Sequence, residues 1–205
     1  MPSPVKVEWL SEEKLRSQAD SFLNRYHPSR SIPIPIEEII DLGLKLDIVP
    51  TPGLKQGFEV DAFISRDMTT IYVDEYTYLN VSTRYRFSLA HEVAHAVLHQ
   101  KVFHSLNFNS IAEWKAVQAA IPERDYGALE WQAYAFAGHV LVPSAELHQR
   151  FTEARAFAEK QGVHVQSWSD EARRMVAGFL ARQFEVSTAV VEKRLEKEGL
   201  WSRSS

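Results

Sequence analysis

Directly after the run Arg84-Tyr85-Arg86-Phe87-Ser88-Leu89-Ala90, residues 91–95 read His-Glu-Val-Ala-His. Two histidines four apart on a helix lie about 40° and one turn of rise from each other, so both imidazoles leave the same side. One ion can then bind both. Glu92 is about 100° round from His91. It is poorly placed to join the same shell but well placed to reach water beside it. Zinc lowers the pKa of a bound water to about 7, and a neighbouring carboxylate can take that proton and pass it on. The three residues thus divide into ligand, base and ligand. The plainer reading is an amphipathic helix with histidines at its polar margin, in a chain holding eight of them.

A catalytic zinc needs a third protein ligand and an open fourth place. Downstream, Glu113, Glu123, Asp125, Glu130, His104 and His139 could supply it. Glu130 is the best on local grounds. It stands near the start of LEWQAYAFAGHVLVP, otherwise almost wholly apolar, where a lone carboxylate is costly unless paired or bound to metal. Ala133, Tyr134 and Ala137 leave room for close approach to the histidine helix. The alternative is an exposed first-turn acid favoured by the helix dipole. His99 lies a further turn along the His91/His95 face. A fourth ligand would close the site, so a supporting role behind the ligands is preferred. Tyr134 shares a face with Glu130 and is a candidate oxyanion donor. His104 reads as a loop residue and His139 as facing away from Glu130. His27, His148 and His164 have no local partner pattern. The tryptophans, Trp9, Trp114, Trp131, Trp168 and Trp201, are scattered and suit packing.

These residues need elements to hold them. Residues 11–26 read as an amphipathic helix capped by Ser11, with Leu15, Phe22, Leu23 and Tyr26 on one face. Pro28, Pro33 and Pro35 make 28–35 an extended linker, and 36–46 is helical again until Pro50 and Pro52 end it. GFEVDAFISR and TTIYVDE alternate around Arg66-Asp67-Met68, which predicts a hairpin or short meander. Helical periodicity then runs over 83–101, 110–120, 128–140, 144–161, 168–184 and 187–198. Gly127 separates two of these, Pro143 ends another, and Ser144 and Ser187 are available as caps. The predicted fold is α+β: a mostly helical, zincin-like domain with a small antiparallel sheet ahead of the histidine helix, and a helix-turn-helix-like C-terminal subdomain. The expected division is an N-terminal helix at 1–30, the metal domain at 31–162 and the helical subdomain at 163–205.

Composition narrows the classes. Two hundred and five residues, 45% hydrophobic and 24% charged, make an ordinary globular chain that folds without staples. There is no cysteine, which excludes disulfides, zinc fingers, iron–sulfur clusters and thiol catalysis. Any metal must be held by His, Asp or Glu. The charge sum, 23 minus 27, is −4 and gives no footprint for nucleic acid or anionic membrane. MPSPVKVEWL lacks a signal-peptide core, and no long apolar run occurs, so the expectation is a soluble cytoplasmic protein. Over 168–201, Arg173, Arg174, Arg182, Lys193, Arg194 and Lys197 are balanced by Asp170, Glu171, Glu185, Glu192, Glu196 and Glu198. A DNA-reading face carries net positive charge, so these helices read as a packing or docking unit.

The match extends beyond five residues. Phe87-Ser88-Leu89-Ala90-His91-Glu92-Val93-Ala94-His95 and His99, followed by Glu130-Trp131-Gln132-Ala133, Phe136-Ala137 and Leu141-Val142-Pro143, resembles the ImmA/IrrE family of metallopeptidases. The Pro-rich entry, the late Phe184-Glu185-Val186-Ser187 and the following Val190, Val191, Arg194 and Leu195 also fit. The resemblance spans roughly 30–200. It implies zinc ligands at His91, His95 and Glu130, with Glu92 as general base. It further implies an endopeptidase that cuts helix-turn-helix repressors and so relieves repression in stress responses. Such His2Glu sites also accept manganese or iron. Gly138-His139 and Val142 depart from the family's usual residues without removing a ligand, which leaves substrate choice open. The rival is a non-catalytic regulator that binds a repressor or DNA and whose metal site is structural or vestigial. Oligomeric state is open.

Overall fold

The computed structural model describes residues 6–161 and 169–201. His164, Trp168, the start of the helix read from 168 and the boundary expected at 162/163 lie outside them. Helix α1 (Glu12–Tyr26) begins where Ser11 Oγ accepts from the Lys14 amide, and it buries Leu15, Ala19, Phe22 and Leu23. After the proline-rich entry, α2 (Ile36–Glu38) passes into a π-helical turn, Ile39–Leu44, that buries Ile39 and Ile40.

The sheet differs from the expected antiparallel one. It has three strands, β1 (Asp47–Thr51), β2 (Ala62–Ile64) and β3 (Thr70–Asp74), in the order β1-β3-β2. β2 and β3 form the hairpin, while β1 pairs parallel to β3. Pro50, read from sequence as a helix stop, sits inside β1, an edge strand where a missing amide can face away from the ladder. The residues before the hairpin, Leu54–Phe58, are a short helix, α3, in place of strand.

Asp74 closes β3 and caps α4 (Glu75–Asn80), its carboxylate accepting from the Thr77 amide. Val81 leads directly into α5 (Ser82–Leu98), which carries the histidine motif. α6 (Gln100–Ser105) and α7 (Ile111–Ala120) follow, then α8 (Glu123–Leu141) and α9 (Ser144–Lys160). Two further helices, α10 (Asp170–Phe184) and α11 (Thr188–Lys197), pack on each other. His104 therefore belongs to α6 and not to a loop. Gly127 lies within α8 with open space around it, so the helix simply runs through. Ser144 is the first residue of α9, after Pro143 at the cap position.

The architecture is thus α+β and mostly helical, as expected. Its densest contact is α5 against α8, and Ala90, Ala94, Ala133 and Ala137 on those two helices are fully buried. Small side chains let two backbones approach closely. α1 packs on the same α8, with Phe22 edge-on to Phe136 at 5.7 Å. Among the described residues no helix is long and apolar enough to cross a membrane.

Candidate metal centre

The close α5–α8 packing brings three ligand-type side chains together. His91 Nε2 lies 3.2 Å from His95 Nε2 and 3.3 Å from a Glu130 carboxylate oxygen. The other Glu130 oxygen is 3.7 Å from His95 Nε2. Ligands about 2.0–2.1 Å from a tetrahedral ion stand roughly 3.3 Å from one another. The 3.2 and 3.3 Å separations match that spacing for a small divalent cation, the 3.7 Å one runs to the second Glu130 oxygen, and the donors are two imidazoles and one carboxylate. His91, Glu92 and His95 form the one metal-type cluster detected among the described residues. The pocket they share with Glu130 holds about 70 Å³, room for an ion and a solvent molecule or two.

Glu92 lines the same pocket, its carboxylate within 4.8 Å of the two histidines. Its Oε2 accepts from the Ile64 amide at 2.9 Å, so strand β2 holds it in place. It is buried, and burial lifts its pKa from the usual 4.5 to about 7. The charge of Glu130 pushes the same way, while His91 and the Ile64 amide oppose. A carboxyl so tuned can hold or release a proton near neutrality. Burial holds His95 well below the usual histidine range, aided by His91 and His99, which keeps it neutral and able to ligate. Burial also lowers His91, but the Glu130 hydrogen bond and the nearby carboxylate charges outweigh it.

His99 is buried directly behind His95. The two Nδ1 atoms are 3.0 Å apart, and His99 Nε2 is 3.1 Å from Gln132 Oε1. Tyr134 packs edge-on to His91 with ring centroids 4.8 Å apart, and Phe87 stands beyond it at 5.5 Å. A second tyrosine, Tyr126, lines the metal pocket itself. Burial and then the Glu130 charge raise the pKa of both phenols, so both remain donors. Tyr126 escaped the reading of the sequence. It stands four residues before Glu130, as Tyr134 stands four after, and that helical spacing could have found it.

Of the other ligand candidates, Glu113 accepts from the Asn109 amide on α7, and Asp125 from the Val7 amide. His139 is buried elsewhere on α8, its Nε2 3.0 Å from Glu12. His148 pairs with Glu198, and His27 bonds the Ser31 carbonyl. Trp114 packs with Phe103 and Phe108.

β3 is the central strand of the sheet, paired on both sides. The Ser65 amide donates to Thr70 and the Asp74 amide to the Asp61 carbonyl, so residues 61 and 65 face β3. By the two-residue period, Ala62 and Ile64 turn their backbone groups to the open edge of β2. That edge borders the metal pocket, which Ala62, Phe63 and Ile64 line.

A buried glutamate between two histidines one turn apart, facing a second helix's carboxylate beneath a strand edge, defines a metallopeptidase-like protein. Residues 63–196 match the family model described as the IrrE N-terminal-like domain, a peptidase family. The chain belongs to that family. No curated protein matches it.

Proposed function

We propose that the protein is a zinc-dependent endopeptidase whose substrate is a protein, a helix-turn-helix transcriptional repressor, and that cleavage relieves repression in the cytoplasm. The observation that carries the chemistry is the 3.2, 3.3 and 3.7 Å triangle of His91, His95 and Glu130 beside a buried Glu92. Those three would hold the ion. Zinc, when bound, would acidify water and polarise a carbonyl; manganese suits the same donors. Glu92 takes the proton of the attacking water and returns it to the leaving amine. Tyr126, lining the pocket, donates to the oxyanion, with Tyr134, packed on His91, as the alternative donor. His99 supports His95 from behind.

The substrate strand adds antiparallel to the open edge of β2. Ala62 offers its amide and carbonyl there and Ile64 its carbonyl, the Ile64 amide being engaged by Glu92. A larger cavity of about 690 Å³ shares Phe63 with the metal pocket and has room for flanking side chains. The C-terminal helices, with balanced charge, pack or dock a partner and leave DNA to the repressor.

The test is to purify the protein, measure bound metal, and incubate it with the helix-turn-helix repressor encoded nearest its gene, with and without chelator. Stoichiometric zinc and chelator-sensitive cleavage are expected. A complex that forms without cleavage, with or without metal, would instead mark a binding regulator.

A further inference from the structure

A chain of hydrogen bonds runs from the metal centre to the N-terminal arm. His95 Nδ1 meets His99 Nδ1 at 3.0 Å, and His99 Nε2 meets Gln132 Oε1 at 3.1 Å. The Gln132 amide nitrogen donates to the backbone carbonyl of Glu8 at 2.8 Å, 124 residues away in sequence. His95, His99 and Gln132 are 3%, 2% and 0% exposed, so water does not compete between these three side chains.

One end of this chain has no freedom. A backbone carbonyl only accepts, so the Gln132 NH₂ must face Glu8 and its oxygen must face His99. The Gln132 oxygen only accepts, so His99 carries its proton on Nε2. A neutral His99 then has a bare Nδ1, and the proton between the two rings belongs to His95 Nδ1. His95 Nε2 is left with an unprotonated lone pair, pointing at His91 and Glu130. The direction follows by alternation from Glu8 and assumes no metal.

We infer that the N-terminal arm is a working part of the metal centre: the Glu8 carbonyl, through the positioning residues Gln132 and His99, presets His95 as an Nε2 ligand. The arm is held on both sides of Glu8. The Val7 amide donates to Asp125 at 2.9 Å, and Trp9 stacks on Trp131 with centroids 4.7 Å apart. Released from these clamps, the Gln132 amide would meet water, which both donates and accepts, and the alternation would lose its fixed end. The inference deepens the reading of His91, His95 and Glu130 as ligands, yet it can be tested apart from it.

The test is ¹⁵N NMR of the histidine rings in metal-free full-length protein, with zinc affinity measured by chelator competition. Wild type should show His95 protonated on Nδ1 and His99 on Nε2. Gln132→Met removes the link; His95 should then populate both neutral tautomers, and zinc affinity should fall about 10–100-fold. Trp9→Ala combined with Asp125→Ala frees the arm without touching the chain, and should move both readouts the same way if Gln132→Met fails to fold. A wild-type His95 protonated on Nε2 overturns the inference, as does a folded variant with unchanged tautomer and unchanged affinity. Predicted tautomers in a wild type that takes no zinc would fail the metal reading and leave the hydrogen-bond chain standing.

Discussion

Glu92 and Tyr126 show how much a single buried side chain is asked to do. The Ile64 amide holds one oxygen of the Glu92 carboxylate beside the two histidines. Glu92→Gln preserves that acceptor and the ligands while removing the base. Cleavage should fall by about 10²–10⁴, with bound zinc unchanged by elemental analysis. Normal turnover in this variant would exclude Glu92 as the base. Tyr126→Phe removes one donor from the pocket wall and nothing from the triangle. Its kcat should drop on the order of 10²-fold with KM nearly unchanged. If Tyr134→Phe produces that loss and Tyr126→Phe does not, the oxyanion role belongs to the more exposed ring. The legibility of these residues tracks their distance in sequence. His91, Glu92 and His95 fall within five positions, where helical geometry alone places them. Glu130 came from the cost of a lone acid in an apolar stretch. Tyr126 required knowing that its face of α8 turns toward the pocket.

Elements are legible in the same graded way. The helices α1, α5 and α9 to α11 announce themselves by apolar period, and α1 also by its Ser11 cap, because both signals are local. β1 did not, since Pro50 and Pro52 read as breakers, and only the sheet order makes Pro50 tolerable at an edge. That order is also why β2, not β3, offers the open edge: strand neighbours depend on a crossover that period-two alternation does not encode. The C-terminal pair has a further non-local tie. Arg194 on α11 donates to the Val142 carbonyl at the end of α8 (3.1 Å), to Ser144 Oγ (3.0 Å) and to Glu198 (2.7 Å). Its side chain and that of Glu198 are each 4% exposed. Arg194→Ala strands the Val142 carbonyl and leaves Glu198 with Arg16, His148 and the Ser144 hydroxyl. Urea unfolding should register a loss of about 3 kcal/mol or more. Arg194→Lys should recover little of it, because one ammonium cannot span three acceptors in that geometry. A loss below about 1 kcal/mol would mean that α11 is held by its apolar face.

At the scale of the whole molecule, the N-terminal helix, the central helix and the C-terminal helix meet at one partly buried charge cluster. Glu12 and Arg16 come from α1, His139 from α8, Arg194 and Lys197 from α11, and Glu198 follows α11. His139 is the group there whose charge changes nearest neutrality. Burial, with Arg194 and Arg16 adding to it, lowers its pKa from 6.5 to about 4 against the opposing pull of Glu12. Above pH 6.5 the ring is neutral both folded and unfolded, and it costs nothing. Between pH 6.5 and 4 the unfolded chain takes up the proton first, so stability is lost as pH falls through that window. At pH 5 the loss from this one ring is about 2 kcal/mol. His139→Gln cannot titrate and can still donate to Glu12. Its unfolding free energy should therefore decline less than the wild type's between pH 7.5 and 5, by about that amount. Carboxylates that do not touch His139 are common to both proteins and drop out of the difference, and Glu12, which does touch it, keeps a donor from the glutamine. Parallel stability curves would show that the three-helix junction relaxes enough to accept a charged imidazole, and that acid destabilises the molecule elsewhere.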